Sequence, residues 1–134
     1  MRATDGCCDE RKVVMNTISI NNAEHYQWGD ACEGWHLLAG DDLSVIEERM
    51  PPGTAEQRHR HERSRQFFYV LEGEATLDLE GETYRLRCGQ SLHVPPGTPH
   101  QMRNDSAHDV RFIVISAPKS HGDRIAEPQA VGMS

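Results

Sequence analysis

The chain has 134 residues, with 14 lysines and arginines against 21 aspartates and glutamates, giving a formal charge of −7. That length suits one domain around a single core, and the acidic balance argues against nucleic acid or an anionic membrane as partner. No run approaches the roughly 20 consecutive apolar residues that a membrane-spanning helix requires.

Residues 1–12 are polar and lack the apolar centre of a secretory signal, so a cytoplasmic location is expected. Residues 1–16 read as a flexible N-terminal extension. A cleaner stretch opens at Met15, which makes residues 1–14 either a disordered leader or the product of an upstream start. The adjacent Cys7 and Cys8 read as an incidental pair in preference to a redox or soft-metal site. Cys32 and Cys88 are isolated, nothing has zinc-finger spacing, and no structural disulfide is expected.

From 17 to 120 the chain reads as one domain of short strands. A single turn is expected near 22–25, then strands at 34–39 and 43–50, followed by 59–61 and 66–71. Residues 75–79 alternate apolar and polar, Glu80-Gly81 reverses the chain, and 83–87 answers them; further strands are expected at 92–94 and 110–115. No convincing helical period and no internal repeat is present. Many short strands between turn signals indicate an all-β sandwich or barrel, and eight of them make a jelly roll. Residues 121–134 are polar and punctuated by proline and glycine, and are expected to form a loose C-terminal tail or to drape over a neighbouring subunit.

Two stretches carry chemistry. The first is Gly53-x5-His59-x-His61-x4-Gln66-x6-Gly73, and the second is Gly89-x5-Pro95-x-Gly97-x2-His100-x3-Asn104. Alternation along a strand points His59 and His61 the same way, about 7 Å apart, with Arg60 on the other face. The polar turn at 62–65 folds the next strand back and brings Gln66 beside the pair. Glu62, directly after His61, is aimed outward and is set aside as a ligand. The stiff run Pro95-Pro96-Gly97-Thr98-Pro99 fixes His100 at little entropic cost. Three imidazoles and one amide at these spacings converge on a point suited to one divalent transition metal, with one or two positions left open.

These two stretches resemble the paired signature motifs of the cupin superfamily, with every glycine, proline and histidine position filled between residues 53 and 104. The resemblance implies a double-stranded β-helix, the jelly-roll barrel of that superfamily, and a metal held by His59, His61, Gln66 and His100. The usual ligand at the position of Gln66 is glutamate. A neutral amide leaves more positive charge on the metal, lowering affinity and raising Lewis acidity. Mn, Fe, Ni and Zn all tolerate this ligand set. The His-x-His-x4-Gln pattern is similar to that of uronate-ketonising cupins, which also carry an aspartate on the last strand; residues 112–118 offer none. Cupins usually pair their sheet edges in dimers, so a homodimer is expected.

Two further residues are expected to do chemistry. Counting back from Gly53, Met50, Glu48 and Ile46 share a face. Facing inward, Glu48 is a desolvated carboxyl suited to general acid or base work; at the barrel rim it pairs with an arginine, and both placements stay open. His93 is expected to line the cavity, with Leu92 and Val94 on the opposite face. Tyr69, His36 and Arg111 are weaker candidates, and Trp28, Trp35, Phe68 and Phe112 read as core or pocket wall. The leading functional expectation is a metal-dependent enzyme acting on a small oxygenated substrate (a sugar, uronate or keto acid) by isomerase, tautomerase or lyase chemistry. The alternatives are an Fe(II)-type dioxygenase and a non-catalytic barrel that binds or senses a small ligand.

Overall fold

The computed structural model describes residues 16–128. Residues 1–15, with Cys7, Cys8 and Met15, and residues 129–134 lie outside the described residues. Eleven strands are present among those described: β1 (Glu24–Trp28), β2 (Cys32–Ala39), β3 (Ser44–Met50), β4 (His59–His61), β5 (Arg65–Glu72), β6 (Glu74–Leu79), β7 (Glu82–Arg87), β8 (Ser91–Val94), β9 (His100–Arg103), β10 (Val110–Ala117) and β11 (Arg124–Ala126). They form a six-stranded sheet in the order β1-β2-β3-β10-β5-β8 and a five-stranded sheet in the order β11-β4-β9-β6-β7, with all pairings antiparallel. The chain crosses between the sheets after β3, β4, β5, β7, β8, β9 and β10, which produces the jelly roll. No described helix is long and apolar enough to cross a membrane.

Period-two alternation decides which side chains enter the barrel. In β5, Gln66, Phe68 and Val70 are buried while Arg65, Phe67, Tyr69 and Leu71 are exposed. In β10, Val110, Phe112, Val114 and Ser116 form the buried set. These meet Ala75, Leu77, Leu86 and Met102 of the opposite sheet, and Met50, Val70, Leu77 and Val110 are wholly enclosed. Gly73 stands at a φ of 86°, and a Cβ there would lie 2.5 Å from the carbonyl oxygen of Asp109. Only glycine permits both the conformation and the approach at the β5–β6 turn.

Three segments depart from the expected pattern. The turn near 22–25 closes earlier, with the amides of Asn22 and Ala23 both donating to the Ser19 carbonyl, and residues from Glu24 onward run as β1. His100 opens a strand, β9, in which His100 and Met102 share the buried face. Within the stretch expected to be loose, β11 pairs with β4, and the Asp123 carboxylate accepts the amides of Glu62, Arg63 and Ser64 at 3.2, 2.9 and 2.8 Å. A polar composition hid this anchor because the amides it satisfies belong to a distant turn. Cys32 is buried, Cys88 is exposed, and both are free.

Candidate metal centre

The four expected ligands come from both sheets. His59 and His61 stand two apart on β4 and point inward, and His100 on β9 lies directly opposite His59 in the ladder. Gln66 enters from the other sheet as the first inward residue of β5. All four are buried, at 3, 5, 1 and 7% exposure for His59, His61, His100 and Gln66. One nitrogen of each imidazole lies within 4.8 Å of the others. Ring centroids are 4.8 Å apart for His59–His61, 4.4 Å for His59–His100 and 5.7 Å for His61–His100.

Main-chain carbonyls orient each ring. The Nδ1–H of His59 donates to the Gln57 carbonyl at 2.7 Å, that of His100 to the Thr98 carbonyl at 2.9 Å, and that of His61 to the Asp123 carbonyl at 3.3 Å. A carbonyl only accepts, so each Nδ1 carries the hydrogen and each Nε2 is left with a lone pair. Burial holds the imidazoles neutral: it pulls the pKa of His59 down to about 3, with the neighbouring His100 adding to the effect, and that of His100 to about 4. His61 is lowered by the same cause. Gln66 is turned by its Nε2, which donates to the Ser116 hydroxyl at 3.0 Å and so points Oε1 into the cluster.

Two observations test whether a cation fits. Among the described residues the buried Nε2 of His61 has no hydrogen-bond partner, a costly state for a polar atom. The Nε2 of His100 lies 3.1 Å from Oε1 of Gln66, lone pair facing lone pair, since neither atom carries a hydrogen in these orientations. Three neutral nitrogens and one amide oxygen, all acceptors, suit a divalent transition ion. The second motif serves the cluster in other ways too. Gly97 donates its amide to the His61 carbonyl, and Asn104 is a strut whose Nδ2 donates to the carbonyls of Met50 and His108 at 2.8 Å each.

The cluster opens into a cavity of about 420 Å³. Glu48 faces it, as the inward reading of β3 requires, and accepts the Tyr26 hydroxyl at 2.7 Å; among the described residues no arginine forms an ion pair with it. Burial pushes its carboxyl up to about 7, with the Tyr26 hydrogen bond and then the charge of Arg124 opposing. Tyr26 and Glu48 both register against Gly34 of β2, from either side. A Cβ on Gly34 would lie 2.2 Å from the Tyr26 ring, so only glycine lets the phenol cross β2 to the carboxyl. Burial also raises the Tyr26 phenol, followed by the charge of Glu48.

Glu56 is a second wall carboxyl, and sequence reasoning missed it. Its Oε2 accepts the Met102 amide at 3.0 Å, and burial, then the charge of Glu48, pushes it up to about 8. It lies on the irregular segment before β4, where no periodicity reports orientation; its position between Gly53 and His59 was the one signal available. Tyr26 lay just past the window read as a turn, where no strand was expected, and Arg124, another wall residue, in the stretch read as loose.

His93 requires correction. It is exposed on β8 and lies outside the cavity wall, because Leu92 and Val94 are the side chains that pack inward. The register shows why: Val94 pairs with inward Gln66, and His93 with outward Phe67. Among the weaker candidates, His36 lines the cavity and Tyr69 is exposed, while Arg111 pairs with Glu47 and lies 5.6 Å over the Trp35 ring. Trp28 and Phe68 are wall residues, Phe112 is core, and Trp35 is buried beneath Arg111.

Fold and cluster together define a small jelly-roll barrel with a buried histidine centre. The family model described as a cupin domain matches residues 46–116, more than half of the chain, and the chain belongs to the cupin family. The uncharacterized protein MJ1618 of Methanocaldococcus jannaschii is 29% identical over 89 residues, covering 66% of this chain and 71% of the relative. Quercetin 2,3-dioxygenase of Bacillus subtilis is 33% identical over 100 residues, covering 64% of this chain and 29% of that enzyme. Among solved structures, KdgF from a Halomonas species superposes with a TM-score of 0.73 at 22% identity, covering 80% of this chain and 98% of that one. At that identity the likeness is one of fold.

Proposed function

We propose that this cupin is a metal-dependent enzyme that moves a proton on a small oxygenated substrate, in isomerase, tautomerase or lyase chemistry. His59, His61, His100 and Gln66 would hold one divalent transition ion. Bound there, it would polarise a substrate carbonyl as a Lewis acid. The observation that carries the reading is a shared cavity: His59, His61 and Gln66 of the converging acceptor cluster, which His100 completes, line the same space as a half-buried, hydrogen-bonded carboxyl, Glu48. With its pKa near neutrality, Glu48 can both take and return a proton at physiological pH. Tyr26 holds that carboxyl in place and favours its ionised form. Gln66, turned by Ser116, presents its oxygen without adding negative charge.

Protein purified without a histidine tag should carry about one equivalent of a transition metal, and less than about a tenth would sink the proposal. Gln66→Glu should hold the metal more firmly against a chelator; unchanged retention removes Gln66 from the ligand set. Glu48→Gln should keep the metal and lose about 10²- to 10⁴-fold in turnover of a responsive sugar or keto acid. Persistent turnover would make Glu48 structural.

The identity with the Bacillus dioxygenase favours a second reading, oxygen-dependent chemistry at Fe(II). Oxygen consumption during the same substrate screen separates the two. Exposed Phe67 and Tyr69, beside the edge strand β8, support the homodimer, which light scattering would register as twice the chain mass.

A further inference from the structure

The geometry points to a second anchor for the ligand: we infer that Arg124 binds the carboxylate of a small organic acid whose other oxygens face the histidine cluster. Arg124 pairs in register with His61 across β11 and β4. Directly opposed residues of an antiparallel pair share a face, so the guanidinium rises on the side of the buried imidazole. It is the one lysine or arginine in the cavity wall among the described residues. Its position is held from the preceding residue, where Asp123 gathers the amides of Glu62, Arg63 and Ser64.

Arg124 lies in the field of the two wall carboxyls, Glu48 and Glu56, without forming an ion pair with either among the described residues. Among the described residues its one hydrogen bond runs from Nη2 to the Gln57 carbonyl at 3.3 Å, and no carboxylate forms an ion pair with it. The nearby Glu127 pairs with Arg60 and, at 3.9 Å, with Arg58. The two wall carboxyls are engaged elsewhere, Glu48 by Tyr26 and Glu56 by the Met102 amide. With one of its five N–H donors engaged, a guanidinium beside a cavity still has the donors to grip a carboxylate through two parallel hydrogen bonds. A cavity of about 420 Å³ holds an acid of monosaccharide size. Four neutral metal ligands act in the same direction, since a divalent ion among them keeps its full charge; this part of the inference rests on the proposed function.

The test uses D-galacturonate and D-galactose as a matched pair, differing at one carboxylate, in calorimetric titrations of the full chain with and without added Mn(II). The acid should bind about tenfold or more tightly than the sugar, as expected for a charge-assisted pair. Arg124→Gln should erase that preference and leave galactose binding and metal content unchanged, while Arg124→Lys should retain part of it. Equal binding of the two probes, no saturable binding of the acid, or a preference that survives Arg124→Gln overturns the inference. A chain that takes up no metal but still prefers the acid through Arg124 refutes the metal reading and leaves this one standing.

Discussion

The two ends of the barrel are made by the same strands and differ in almost every physical respect. Along β5 the inward side chains run from Gln66 through Phe68 to Val70, and along β10 from Ser116 through Val114 to Phe112 and Val110. One end closes on hydrocarbon, with Met50, Val70, Leu77, Met102 and Phe112 at 0–1% exposure. The other buries imidazoles and an amide, with two half-buried carboxyls beside them, around open space. The apolar end supplies burial free energy, which lets the polar end carry unsatisfied acceptors and pKa shifts that oppose folding. Stability and chemistry are thus separated by about two residues along each strand.

The division of labour can be broken most forcefully from the apolar end. Phe112→Ala should cost about 3–5 kcal/mol in urea denaturation through lost burial and the cavity left behind. The folded fraction should bind metal as the parent does. Loss of metal affinity in molecules that remain folded would show that the two ends are coupled.

A smaller effect is expected from pH, read in metal-free protein. His59 and His100 have depressed pKa values, about 3 and about 4, so the unfolded chain binds protons there that the folded chain refuses. Their contribution is present above the ordinary histidine value and is lost as pH falls through the depressed ones. Glu48 and Glu56 are raised, to about 7 and about 8, so their contribution is present below the ordinary carboxyl value and is lost as pH rises through the raised ones. The two trends oppose each other between the ordinary carboxyl and histidine values, about 4.3 and 6.5, and stability should be broadest there and fall on both sides. Thermal melts across pH check this, and Glu48→Gln should flatten the alkaline fall. A melting temperature that climbs steadily to pH 8 contradicts the assignment.

The smallest effect belongs to His93→Ala. An exposed histidine outside the cavity should change stability by no more than about 0.5 kcal/mol and leave metal content untouched. A large loss of either would restore it to the site.

The barrel and the four clustered side chains were legible because spacing encodes both. His59 and His61 are two apart on a strand, and Gln66 and His100 follow fixed turns and a rigid proline run, so local geometry carried the inference. Residues oriented by distant partners were not legible. Alternation correctly set His93 opposite Leu92 and Val94, yet alternation gives parity and leaves the choice of side to the neighbouring strand, here β5. Tyr26 reaches Glu48 across β2 only because residue 34 is glycine, a relation among three strands. Glu56 and Arg124 lie where no periodic pattern extends, and their roles follow from β9 and β4.

The carbonyls of Gln57 and Thr98 that receive the imidazole hydrogens are present in every amino acid, so changing either side chain leaves the acceptor in place. Ring tautomer is therefore insulated from ordinary substitution at those two positions. Drift there should be tolerated as long as the path of the main chain is kept, whereas insertion or deletion of a single residue would undo it.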